Sequence, residues 1–224
     1  LFYKYNNWWS LLVGFYIKYI YGIKHKIVSR HKLIEKGFVL ANHRSFADFA
    51  IDPYYTKSTV LGRVMAFLAV FPNSILGYLD NRIIYFRRGK YTGEMLFKMR
   101  LDHMEKDGLF TKRILFYPEG TRKKYLFLKD EQDLISHLKH GLLKRIYNLK
   151  KYPVQLFISS NKEIVMNEKK LSANYGVEVN SSFSIPIYPE KFNSYQDFVD
   201  EIAKKWLICY RETHGIQYVD IREI

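Results

Sequence analysis

Three runs of four apolar residues each stop at a group of ionisable or hydrogen-bonding side chains. Phe38-Val39-Leu40-Ala41 runs into Asn42-His43-Arg44-Ser45, Ile83-Ile84-Tyr85-Phe86 into Arg87-Arg88-Gly89, and Ile114-Leu115-Phe116-Tyr117 into Pro118-Glu119-Gly120-Thr121-Arg122. Short runs rich in branched and aromatic residues, bounded by Gly, Pro or Asn, have the pattern of buried strands. In open α/β sheets ligands sit at the carboxyl ends of such strands. The expected fold is therefore a single α/β domain, a mixed and mainly parallel sheet flanked by helices. One His, two carboxylates and several arginines would meet at one crevice.

The remaining sequence supplies helices and further strands. Residues 8–24 have a helical pattern, and residues 27–35 suit a polar connection or an edge strand. Ser45-Phe46-Ala47-Asp48 matches the Ser-x-x-acid capping box, which predicts a helix from Phe46, with a kink or a second start at Asp52-Pro53. Residues 60–79 are almost free of charge apart from Arg63 and read as core or as an exposed apolar surface. A helix capped at Thr92 and stopped at Gly108 would connect the second and third runs as a parallel crossover. Leu134, Leu138, Leu142 and Ile146 recur every four residues and predict one helix. Further strands are expected at 154–158, 163–166, 177–179 and 183–187, and a last helix from a Ser194 and Asp197 capping box to about residue 212.

Charge narrows the partners. The chain of 224 residues carries 36 Lys and Arg against 22 Asp and Glu, a formal charge of +14, which favours an anionic partner. Nucleic acid is disfavoured, because no zinc-finger spacing, aromatic ribonucleoprotein motif or helix-turn-helix is present. The single cysteine, Cys209, excludes an internal disulfide framework and suits a reducing compartment.

The amino end is dense in aromatic residues, including Trp8, Trp9, Phe15, Tyr16 and Tyr19. Trp and Tyr favour the headgroup level of a bilayer, since each ring system has an apolar body and a polar tip. The apolar stretch 11–17 is too short to span a membrane, so residues 1–24 are expected to form a membrane-associating helix lying in the interface. Residues 25–224 would form the catalytic domain. The alternative for the amino-terminal helix is packing on the core. The chain opens on Leu rather than Met, which leaves room for an upstream segment.

His43 and Asp48 lie five positions apart, with a helix start between them. A carboxylate in that first turn can reach the imidazole, fix its tautomer and stabilise the imidazolium formed when the other ring nitrogen takes a proton. The capping box offers Asp48 a purely structural use. Arg87, Arg88, Arg122, Lys123 and Lys124 supply the donors a phosphate requires, and Gly120 permits a tight turn among them. Together these residues point to proton abstraction from a hydroxyl on a phosphorylated substrate. Asp133, His137 and His140 would share one helical face and offer metal ligands, but their Lys-rich helix suits solvated side chains better; no metal is expected.

Asn42-His43-Arg44-Ser45-Phe46-Ala47-Asp48 resembles the first signature, N-H-x4-D, of the glycerolipid acyltransferases, the family that includes lysophosphatidic acid acyltransferase. Ile84-Tyr85-Phe86-Arg87-Arg88 is similar to its second block, and Phe116-Tyr117-Pro118-Glu119-Gly120-Thr121-Arg122 to its third, F-P-E-G-T-R, with Tyr for Phe. The fourth block is represented by Tyr152-Pro153-Val154-Gln155-Leu156 without its closing Pro, and Ser184-Ile185-Pro186-Ile187-Tyr188-Pro189 is similar to the closing strand. The resemblance implies an acyltransferase with His43 as general base and Asp48 as its partner. It implies that Arg88 and Arg122 hold an acceptor phosphate, with Arg87 adding positive charge and Glu119, Gly120 and Thr121 in the block that shapes the pocket. No cofactor is implied. The co-substrate would be a fatty acyl thioester on coenzyme A or acyl carrier protein, and the acceptor a lysophospholipid, most simply lysophosphatidic acid giving phosphatidic acid. A membrane-associated enzyme with its site facing the cytoplasm is the corresponding location. Two alternatives stay open: the same chemistry on another lysophospholipid headgroup, and a non-enzymatic basic protein bound to a membrane surface.

Overall fold

The structure, a computed structural model, describes residues 8–64, 73–87, 89–106, 112–122, 130–167 and 172–215. The first half comprises helix α1 (Trp8–Phe15), strands β1 (Lys24–Ile27) and β2 (Gly37–Ala41), helix α2 (Asp48–Thr56), β3 (Val60–Arg63), α3 (Asn73–Leu79), β4 (Ile83–Phe86), α4 (Gly93–Glu105) and β5 (Arg113–Phe116). The second half comprises α5 (Glu131–His137), α6 (His140–Leu149), β6 (Val154–Ser159), the single turn α7 (Lys162–Val165), β7 (Met166–Asn167), β8 (Ser172–Ala173), β9 (Glu178–Phe183) and α8 (Tyr195–His214).

The main sheet has the order β1-β9-β6-β2-β5. Strands β5, β2 and β6 are parallel, with Leu40 opposite Phe116 on one side and Leu156 on the other. β9 runs antiparallel to β6, and β1 runs parallel to β9. The parallel pair β3-β4 extends this sheet through Thr59, whose N–H donates to Arg113 and whose carbonyl accepts from Leu115, both at 2.9 Å. β4, β3, β5, β2 and β6 thus point one way and end at one edge.

Side chains alternate across a strand with a period of two, and β2 shows the consequence. Phe38 and Leu40 enter a core with Ile114, Phe116, Leu156 and the inner faces of α4, α5, α6 and α8, centred on Trp206. Val39 and Ala41 enter the opposite core with Leu115, Phe157 and Phe183. Helices α1 and α2 pack over that second side through Trp9, Val13 and Ile51, together with Ile17 from the π-helical turn Tyr16–Ile20 that follows α1.

Several elements differ from the sequence reading. β4 is a half-buried strand separated from β5 by β3, so the crossover connects strands that are parallel but not neighbours. The first strand lies at Lys24–Ile27, earlier than the polar stretch expected to hold it, and runs along the sheet edge on β9. Residues 163–165 belong to the turn α7 rather than to a strand, and only Met166 of the expected stretch enters one, the short β7. A single strand, β9, replaces the two expected around 177–187, because its internal serines are hydrogen-bonded: Ser181 Oγ lies 2.7 Å from Ser159 Oγ and 2.8 Å from His25 Nε2. The helix expected to carry Leu134 through Ile146 breaks at Leu138, which frees the Lys139 N–H to donate to the Pro118 carbonyl at 2.7 Å. This break separates His137 from His140, whose ring faces the Ile135 carbonyl and Tyr195. The last helix follows expectation, with both halves of the Ser194 and Asp197 capping box formed.

Helix α1 and the π-helical turn that continues it have two different faces. Trp9, Val13 and Ile17 are buried, as the packing alternative required, whereas Trp8, Leu11, Phe15 and Tyr19 stand exposed, as do Tyr78 and Leu79 on the neighbouring α3. No helix among the described residues is long and apolar enough to cross a membrane.

Candidate active site

The loop after β2 carries the first cluster. His43 Nδ1 lies 2.8 Å from Asp48 Oδ2, and the same oxygen accepts the N–H of Arg44 at 2.5 Å and of Ser45 at 3.0 Å. The carboxylate half of the capping box is therefore present. The hydroxyl half is not: Ser45 Oγ accepts from the Ala47 N–H at 3.1 Å and donates to the Lys162 carbonyl at 2.9 Å. With its cap diverted in this way, α2 begins at Asp48 rather than Phe46. It continues through Pro53 without a restart, and Asp52 inside it is held by Lys162. Asp48 thus has both uses at once, ordering the loop amides and orienting the imidazole.

Burial alone would drive the Asp48 carboxyl toward its neutral form. The charge of Lys162, the His43 hydrogen bond and charge, and the Arg44 amide outweigh it and hold the group below the usual carboxylate range. An ionised carboxylate only accepts, so His43 Nδ1 carries the proton and Nε2 is the lone-pair nitrogen. Among the described residues Nε2 makes no hydrogen bond. The ring is stacked on Tyr117 at 4.3 Å between centroids and meets Phe49 edge-on at 5.4 Å. The Tyr117 hydroxyl donates to the Asp48 carbonyl at 3.1 Å and reaches Asp52.

The third cluster, after β5, closes on the first. Glu119 is buried and accepts the His43 N–H at 2.6 Å, while Arg44 Nη1 donates to its two oxygens at 2.8 and 2.9 Å. Its carboxylate therefore braces the His43 loop from inside. Gly120 has φ +71, the left-handed region, and an added Cβ would stand 2.7 Å from Lys139 Cε. Thr121 is exposed, and the Arg122 guanidinium lies 4.0 Å over the Phe46 ring, against the loop that carries His43 and Asp48. Arg87 is exposed at the end of β4, three strand positions from β2, or about 14 Å along the edge at ordinary strand spacing. Arg88, Lys123 and Lys124 lie outside the described residues.

A buried cation at this site went unanticipated. Lys162, with no exposed surface, donates to the Asn42 carbonyl at 2.7 Å and to Asp52 at 2.7 and 3.0 Å, and lies 3.7 Å from Asp48. The signal for it is a fourth strand ending in a polar group, Ser159-Ser160-Asn161-Lys162, after β6. Asn42 joins the two strand ends, its side chain bonded both ways to the Ser159 backbone at 2.8 and 3.0 Å. Among the described residues no group of three or more His, Cys, Asp or Glu is placed to hold a metal.

No family model and no curated protein sequence matches the chain. Among solved structures it is similar to the 1-acyl-sn-glycerophosphate (LPA) acyltransferase PlsC from Thermotoga maritima, at 12% identity and a TM-score of 0.59, over 93% of this chain and 80% of that one. At this identity the likeness is one of fold, a mixed α/β sheet flanked by helices as the sequence reading expected.

Asp52 makes the site felt in the stability of the whole molecule. Its carboxyl is pushed up to about 7, chiefly by burial and then by the Asp48 charge, with Lys162 opposing. A carboxyl raised in the folded state favours folding while it is protonated and loses that contribution as pH rises through the folded value. The melting temperature of the wild type relative to Asp52→Asn is expected to fall by a few degrees between about pH 5 and about pH 8. A difference that stays constant across this range in calorimetry contradicts the assignment.

Proposed function

We propose that this protein transfers a fatty acyl group from a thioester of coenzyme A or acyl carrier protein to the free hydroxyl of a lysophospholipid, with lysophosphatidic acid the favoured acceptor. The observation that carries the reading is the buried His43–Asp48 pair at the carboxyl edge of the sheet, with Nε2 as the ring nitrogen left for a substrate. The likeness in fold to an LPA acyltransferase and the three sequence blocks support it.

In this reading Nε2 takes the proton of the acceptor hydroxyl as its oxygen attacks the thioester carbonyl, and Asp48 stabilises the resulting imidazolium. Collapse of the tetrahedral intermediate breaks the carbon–sulfur bond, and the imidazolium returns its proton to the departing sulfur. The products are an ester and a free thiol, and no acyl-enzyme forms. Arg122, with Arg87 and Arg88, would face the acceptor phosphate, a role suited to the bidentate geometry of guanidinium.

The acceptor and product are membrane lipids. The exposed faces of α1 and α3 would rest in the bilayer interface, with the buried face of α1 tying that anchor to the core, and the site would open on the cytoplasmic side.

Replacing His43 by Ala is expected to lower thiol release from acyl coenzyme A in the presence of lysophosphatidic acid by at least about 100-fold, with the circular dichroism spectrum unchanged. Turnover near the wild-type rate would remove His43 as the base. For the membrane, the double variant Leu11→Glu and Phe15→Glu is expected to lose most co-sedimentation with phospholipid vesicles. Full retention would place the anchor elsewhere.

A further inference from the structure

Lys162 takes no part in the proton transfer described above, yet its side chain is wholly buried beside the pair that does. Its ammonium donates to the Asn42 carbonyl and to Asp52, and its own carbonyl accepts from Ser45, so one residue grips the His43 loop at two points. Filling space does not require this. A buried ion pair replaced by apolar groups of similar volume is often as stable or more so, which makes a buried lysine a poor choice for packing alone. The neighbour that needs the charge is Asp48, which serves three N–H donors and can do so fully only as a carboxylate.

We propose that Lys162 is a positioning residue for the His43–Asp48 pair: its ammonium keeps the Asp48 carboxylate ionised, so that the imidazole is held in one tautomer and one orientation. The surrounding charges are consistent with this role. From α2, Asp52 faces Lys162 directly, and being pushed up to about 7 by burial it takes a proton before Asp48 does on acidification. From the loop after β5, the Tyr117 hydroxyl meets the Asp48 carbonyl, while Glu119 is occupied by Arg44. From β1, His25 is pushed down to about 4 by burial and then by Lys162, so it adds no positive charge near neutral pH. That leaves Lys162 as the one lysine or arginine among the described residues within ion-pair distance of the Asp48 carboxylate, apart from the imidazolium formed in the reaction. Without it, burial would act on the Asp48 carboxyl with no ammonium among the described residues to oppose it. Asp48 would then take up its proton at higher pH, and His43 would lose its acceptor.

The inference rests on the acyl-transfer reading for its kinetic readout alone, and a second readout needs no substrate. Lys162→Met and Lys162→Arg are compared with the wild type by the carboxylic acid C=O band in infrared difference spectra against pH, assigned with Asp48→Asn. The pH profile of kcat/KM for acyl transfer is measured in parallel. In Lys162→Met the Asp48 band and the acid limb of the profile are expected to move up together by about one pH unit or more, a loss of about tenfold at a pH on the limb. Lys162→Arg, which keeps the charge, is expected to hold both at their wild-type positions even where kcat falls. An Asp48 band that does not move in Lys162→Met overturns the proposal and leaves Lys162 a structural residue. So does an equal loss of activity in both variants with an unshifted profile. If Lys162→Met does not fold, the double variant Lys162→Met and Asp52→Asn, which removes the ion pair as a unit, carries the same two readouts. A wild type without acyl transfer would end the functional reading, and the infrared titration would still decide for or against Lys162.

Discussion

One buried carboxylate organises this site. Asp48 Oδ2 gathers the imidazole Nδ1 and the amides of Arg44 and Ser45, and Glu119 takes the amide of His43. Three consecutive backbone N–H groups are thus satisfied by two acids, one from the start of a helix and one from the loop after a neighbouring strand. A buried amide without a partner costs about as much as a lost hydrogen bond, so neither acid can leave without disordering the loop that aims His43. A charge without exposed surface must itself be compensated, and Lys162 supplies the compensation from a third strand end.

The parallel sheet makes this convergence possible. Because β2, β5 and β6 run the same way in register, their next residues emerge side by side: Asn42 and His43, Tyr117 to Glu119, and Ser160 to Lys162. Residues separated by 75 to 120 positions in the chain become hydrogen-bond partners as a result. Arg87 stands further along the same edge, and Arg122 lies on the loop beside the acid–base pair.

The strands that build the site were legible because both their faces are buried, which leaves continuous apolar runs ended by polar residues. The Ser194 capping box was legible because its signal is local. The spacing of His43 and Asp48 allows either a helix cap or a partner for the imidazole, and the geometry has Asp48 bonding the loop amides and the ring together. Lys162 was missed for a physical reason: buried and solvated lysines look alike in a sequence, and only the tertiary pairing with Asp52 distinguishes this one. The strands expected at 177–179 and 183–187 are joined into β9 because the Ser181 hydroxyl between them finds partners on both neighbouring strands, Ser159 and His25. The break at Leu138 is hidden by a four-residue apolar repeat, and the Lys139 N–H that the break frees is satisfied only by a long-range bond to the Pro118 carbonyl.

The central claim is that His43 acts as a base on the acceptor, so that the acyl group passes directly between two substrates. Rapid mixing of the protein with acyl coenzyme A, with and without lysophosphatidic acid, tests it most directly through the time course of thiol release. Direct transfer predicts thiol only when the acceptor is present, rising linearly from the first turnover. A burst of thiol equal to the protein concentration without acceptor, or no release with it, would contradict the account.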